Sequence, residues 1–145
     1  MGISGERPLY RVSIIGLGLI GGSWVKALRE RGAVGHVVGF DRNQDSMQDA
    51  VELGIIDEYA SSARLAVSNA DIVILSVPIL ACREILLEIK DSLPETAIVT
   101  DVGSVKGNVA ADIGEIFGGD WSNFVLGHPI AGSEKSGIKA ANSKL

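Results

Sequence analysis

Short apolar runs alternate along this chain with segments whose apolar residues recur at helical spacing. Arg11–Gly16 (RVSIIG) reads as a first strand. Leu19–Arg31 reads as a helix with Ile20, Trp24, Ala27 and Leu28 on one face and Gly32 just past its end, where a left-handed residue closes helices. Val37–Phe40 follows as a second strand, Asp45–Leu53 as a second helix stopped by Gly54, Ile55–Tyr59 as a short third strand and Ser62–Val67 as a short helix. The run Asp71–Val77 (DIVILSV) is nearly continuously apolar, as suits a strand buried on both faces of a parallel sheet. Pro78 ends it, since proline donates nothing to a sheet ladder. Ile79–Ile89 carries Cys82, Ile85, Leu86 and Ile89 at helical spacing. A strand at Ala97–Thr100, a helix at Val105–Phe117 ended by Gly118–Gly119, and a last strand at Asn123–Gly127 complete the pattern. Strands alternating with helices through short loops predict βαβ units and an α/β, doubly wound, mostly parallel sheet of the Rossmann type.

The chain has 145 residues, enough for one domain with a core, and the reading divides it into an N-terminal tail (1–10) and a dinucleotide-binding domain (11–145). No apolar run approaches the roughly 20 residues that cross a bilayer, and the polar start lacks the apolar stretch of a signal peptide, so the expectation is a cytoplasmic protein without a membrane partner. The single cysteine, Cys82, has no internal disulfide partner and falls on an apolar helix face, which makes it a core residue. A net charge of −5 with no Lys/Arg cluster argues against a nucleic-acid partner. No metal site is expected.

The chemistry begins at Gly16–Leu17–Gly18–Leu19–Ile20–Gly21, a G-x-G-x-x-G pattern between the first strand and the first helix. Gly16 permits the tight turn, Gly18 lets the backbone approach a pyrophosphate, and Gly21 lets the helix pack closely on the strand. The helix start supplies free N–H groups and a partial positive charge for phosphates. Asp41 ends the second strand, 20 residues after Gly21, where a carboxylate accepts hydrogen bonds from ribose hydroxyls and repels a 2′-phosphate. Asp41 therefore favours NAD over NADP, while Arg42 beside it is of the type that accepts a 2′-phosphate. The bland alternative, a tight turn followed by a helix cap, accounts less well for strand, glycines, helix and acid together.

In open parallel sheets, ligands bind beyond the carboxyl ends of the strands. Three further motifs fall there: Ser76–Val77–Pro78, expected to line the cofactor crevice; Asp101–Lys106 (DVGSVK); and Gly127–Glu134 (GHPIAGSE). Histidine as a residue type titrates near neutral pH, so His128 suits a base that takes a proton from a substrate hydroxyl, and Pro129 after it restricts its backbone to extended conformations. The residues themselves leave open the alternative of a hydrogen-bonded structural histidine at a strand end. Ser104 suits a hydrogen bond to substrate or nicotinamide and equally suits an N-cap of the following helix. His36 reads as a surface residue, and Trp24 and Trp121 as packing residues.

Together GLGLIGGS (Gly16–Ser23), DVGSVK (Asp101–Lys106) and HPIAGSEKSG (His128–Gly137) resemble the prephenate/arogenate (cyclohexadienyl) dehydrogenase family, over essentially the whole chain from Val12 to Leu145. The first motif is shared by many nicotinamide enzymes; the second and third, in this order and spacing, are specific. The resemblance implies NAD-dependent oxidative decarboxylation of prephenate to 4-hydroxyphenylpyruvate, or of arogenate to tyrosine. It implies His128 as the base at the ring hydroxyl and Ser104 as a second catalytic group. Ser133 and Glu134 would join Ser104 and His128 at the substrate. Gly16, Gly18, Leu19, Ile20, Gly21, Asp41, Arg42, Ser76, Val77 and Pro78 would hold the cofactor. The family carries a second, helical domain that builds a homodimer and supplies an arginine for the substrate carboxylate. This chain has no counterpart of it, so the expectations are an incomplete substrate site, a nucleotide domain shortened at its C-terminal end, and poor turnover by this chain. The alternatives are a 3-hydroxyacid or 6-phosphogluconate-type dehydrogenase, or a nicotinamide-binding sensor without chemistry.

Overall fold

The computed structural model describes residues 10–102, 106–118, 122–126 and 137–144. Six strands form one sheet: β1 (Tyr10–Ile15), β2 (Val34–Phe40), β3 (Glu58–Tyr59), β4 (Ile72–Leu75), β5 (Ile98–Asp101) and β6 (Phe124–Leu126). Their spatial order is β3-β2-β1-β4-β5-β6, and every neighbouring pair runs parallel. Five helices connect them: α1 (Leu19–Glu30), α2 (Gln44–Glu52), α3 (Ala63–Val67), α4 (Ile79–Ile89) and α5 (Lys106–Phe117). This is the doubly wound α/β sheet expected from the hydrophobic pattern.

Successive strand residues serve opposite layers, which is why β4 reads as a continuous apolar run. Val12, Ile14, Val37 and Ile74 pack under α1 and α2 with Val25, Met47 and Ala50. Ile15, Val73, Leu75 and Val99 face the other way, against Ala66 and Val67 of α3, Cys82, Ile85 and Leu86 of α4, and Val109 and Ile113 of α5. Ser13, also on that face, is buried and satisfied by donating its hydroxyl to the Ala66 carbonyl.

Several boundaries differ from the sequence reading. β2 begins at Val34 rather than Val37, because Tyr10 and Arg11 of β1 pair with Val34 and His36 and carry an apolar-poor stretch into the ladder. His36 thus sits inside the strand, half-exposed, with its ring nitrogens 3.7 Å from the carboxylates of Asp57 and Glu58. β3 shrinks to two residues; Ile55 and Ile56, expected in that strand, are buried in the loop before it. β4 stops at Leu75, so Ser76 and Val77 leave the sheet before Pro78 opens α4. α1 buries Gly21, Gly22, Ser23 and Val25 completely, while Trp24 and Leu28 are only partly covered. Its close face is therefore made by small residues, which apolar spacing does not reveal. Cys82 is buried in the core, as expected.

Two features tie the layers. Asp57 Oδ2 accepts the Val37 N–H at 2.7 Å and Arg29 Nη2 at 2.6 Å, joining β2, the loop before β3 and the end of α1. Burial alone would raise the Asp57 carboxyl, but the Val37 N–H and the Arg29 guanidinium outweigh it and hold it below its ordinary value. After Gly137, a short 3₁₀ turn at Ile138–Ala140 packs against α1 and α2. Ile138 is buried in the α1–α2 layer, and the Asn142 N–H donates to Ser23 Oγ at 2.8 Å.

Candidate functional site

The sheet reverses its winding between β1 and β4: β2 lies to one side of β1 and everything from β4 onward to the other. A crevice must open where the two connections diverge. The strand ends there are stepped by hydrogen bonds that continue the ladders into the turns. The Gly16 N–H donates to the Phe40 carbonyl at 2.8 Å, Ser76 N–H to Ile15 at 2.7 Å and Val102 N–H to Leu75 at 3.0 Å. Above these ends lies a cavity of about 660 Å³. Gly16, Gly18, Leu19 and Ile20 form one wall, Asp41 and Arg42 a second, and Ser76, Val77 and Pro78 a third.

Nine of the ten residues expected to hold a cofactor thus line one space, and the tenth, Gly21, sits behind it. A Cβ at Gly21 would lie 2.6 Å from Ser76 Oγ and 2.9 Å from Ile14 Cδ1, so its glycine serves helix–strand contact. Gly16 has φ +94°, and a Cβ there would overlap the Ser76 carbonyl. Around Gly18 the situation is reversed: a Cβ would meet nothing within 4 Å, and its φ of −106° suits any residue. Nothing in the described fold requires glycine at this cavity wall. No side chain caps α1, so the N–H groups of its first turn are left at the cavity for another acceptor.

Asp41 has a structural duty as well. Its Oδ2 accepts the Leu17 N–H at 2.7 Å and its Oδ1 the Asn43 N–H at 2.8 Å, fixing the carboxylate at the cavity edge with lone pairs to spare. Arg42, on the same wall, is well exposed and pairs with Glu84 of α4 at 2.8 Å. The sequence reading missed the apolar floor, which Phe40, Ala81, Ile85 and Val102 supply. Ala81 and Ile85 are four apart on α4, a spacing that marks them as one face without saying that the face borders a cavity as well as the core. Gly137 also lines the cavity, from the far end of the third motif.

Ser104, His128, Ser133 and Glu134 lie outside the described residues, as does Trp121. Val102, two residues before Ser104, borders the cavity, and β6 ends at Leu126, two residues before His128. Among the described residues, no group of His, Cys, Asp or Glu is arranged to hold a metal, and no helix is long and apolar enough to cross a membrane.

The sheet order, the glycine turn at its switch point and the carboxylate ending β2 define a nucleotide-binding domain of the Rossmann type. The chain belongs to the family described as prephenate dehydrogenase, nucleotide-binding domain, whose model matches residues 24–145. It is 37% identical over 138 residues to the prephenate dehydrogenase of Lactococcus lactis subsp. cremoris, covering 94% of this chain and 38% of that protein. Among solved structures, it is similar to prephenate dehydrogenase from A. aeolicus in complex with hydroxyphenyl propionate and NAD+, with a TM-score of 0.84 and 42% identity, covering 95% of this chain and 48% of that one. Synechocystis arogenate dehydrogenase gives a TM-score of 0.80 at 37% identity, covering 91% of this chain and 45% of that one. The chain therefore spans less than half the length of these relatives.

Proposed function

We propose that this chain is the NAD-binding part of a cytoplasmic dehydrogenase that oxidises and decarboxylates prephenate to 4-hydroxyphenylpyruvate. The observation that carries the reading is the cavity at the switch point, with Gly18 open on one wall and Asp41 fixed on another. A dinucleotide laid across the strand ends puts its pyrophosphate at Gly18 and the first turn of α1, where unpaired N–H groups meet its charge. Its adenosine ribose lies at Asp41, and the apolar floor excludes water from the rings. Family membership favours this substrate over those of the 3-hydroxyacid and 6-phosphogluconate-type enzymes.

When bound, NAD supplies the acceptor for the hydride leaving the ring hydroxyl carbon. The hydroxyl proton must leave with it, and His128 is the group we assign to take it, with Ser104 orienting the same hydroxyl. Ser133 and Glu134 are assigned to the substrate's surroundings. Loss of the ring carboxylate as carbon dioxide then restores aromaticity. Arogenate is the second substrate to consider, because a structural relative at 37% identity is an arogenate dehydrogenase.

The test has two stages. NADH is titrated into the 145-residue chain by fluorescence, and saturable binding is expected. NAD reduction is then followed in the longer protein that carries this domain, with prephenate and arogenate offered separately, and with His128→Asn alongside. Turnover of at least one substrate, falling about 10²- to 10⁴-fold in His128→Asn with NADH affinity unchanged, is the expected result. Binding without turnover of either substrate would turn the reading toward a sensor module.

A further inference from the structure

One ion pair joins the two lips of the cavity at the end that Asp41 marks. Arg42, just after β2, is the only basic residue lining the cavity among the described residues. Glu84 stands on the second turn of α4, and its Oε2 accepts from Arg42 Nη2 at 2.8 Å. The two side chains are 67% and 69% exposed, so the pair adds little to stability. Its effect lies in the charge presented to a ligand. The pair draws the Arg42 guanidinium toward α4 and neutralises it, leaving the Asp41 carboxylate to set the sign at the ribose. An arginine in this position is the group that takes up a 2′-phosphate in domains of this architecture.

We propose that Glu84 is a cofactor-specificity residue. By holding Arg42 against α4 it withholds the guanidinium from a phosphate on the adenosine 2′-oxygen. Discrimination against 2′-phosphorylated dinucleotides thus rests on two acids, Asp41 just after β2 and Glu84 on α4, around one arginine. This inference depends on the reading of the cavity as a dinucleotide site and deepens it.

The 145-residue chain, with Glu84→Gln and the double variant Arg42→Gln/Glu84→Gln, is titrated calorimetrically with AMP and with adenosine 2′,5′-bisphosphate. In Glu84→Gln the bisphosphate should tighten by about threefold to tenfold while AMP stays within about twofold, the span expected of a partly screened charge contact. The gain should vanish in the double variant. Because the readout is the ratio of two ligands on one protein, a partial loss of folded chain does not move it. An unchanged ratio in Glu84→Gln, or a gain that survives without Arg42, overturns the assignment. If AMP binds the unsubstituted chain and the ratio does not move, only the role of Glu84 fails. If neither AMP nor NADH binds, the dinucleotide reading fails and takes this inference with it.

Discussion

Gly16 and Gly18 stand two residues apart, and glycine serves a different purpose at each. At Gly16 the backbone is left-handed and pressed on the Ser76 carbonyl, so Gly16→Ala meets both a conformational penalty and a backbone overlap. The expected loss is about 3 kcal/mol or more of unfolding free energy. Gly18→Ala has room and an ordinary φ, and should cost at most about 1 kcal/mol through poorer N-capping of α1. The same change puts a methyl group where the pyrophosphate is proposed to lie and should weaken NADH by about tenfold or more. Urea melts and NADH titrations on both variants check this; a Gly18→Ala chain that binds NADH as tightly as the original would count against phosphate contact there. The glycine pattern was visible in the sequence because its spacing and its flanking strand and helix are local properties. The pairing of Arg42 was not visible, because its partner Glu84 lies 42 residues away on α4.

At the scale of elements, Asp57 ties a strand, a helix end and a loop through one carboxylate oxygen. Its carboxyl lies below its ordinary value of 3.8 in the folded chain, so its contribution is present above that value and is lost as pH falls through the depressed one. Asp57→Asn should lower stability by about 1 kcal/mol at pH 7, a figure kept small because the side chain is a third exposed. The two proteins should converge in urea midpoint at a pH below the depressed value. A gap that persists unchanged at that pH would show that shape, not charge, matters at this position. The long apolar strands and the helices were legible because their periodicities are strong. The extent of β3 and the 3₁₀ turn at Ile138–Ala140 were not: the first is a two-residue pairing within the expected Ile55–Tyr59, and the second is held by a notch at Gly22 and a hydrogen bond to Ser23, both more than a hundred residues upstream.

At the scale of the whole molecule, the two faces of the sheet are unequally covered. The α3–α4–α5 layer reaches across to Phe124 on β6. On the other face Ile72, Ile98, Thr100 and Val125 share one side through the register of β4, β5 and β6, and Ile98 and Val125 are exposed. A groove beside them is lined by Trp24, Ala27, Leu28, Ile72 and Ile74. The native 145-residue chain should therefore bind a hydrophobic dye such as ANS, and Ile98→Lys/Val125→Lys should reduce that signal while leaving the unfolding free energy within about 0.5 kcal/mol. A chain that is dye-silent before substitution would contradict this picture. A narrower bond links the two wings of the sheet at its centre. Gly16, in the turn that begins the first wing, and Gly21, in the first turn of α1, both press against Ser76, in the turn that begins the second. Position 16 is thus held to glycine by a main-chain atom that every residue at 76 carries, whereas 21 and 76 meet through a side chain, so descendants of this sequence should keep the first fixed and let the other two drift only together.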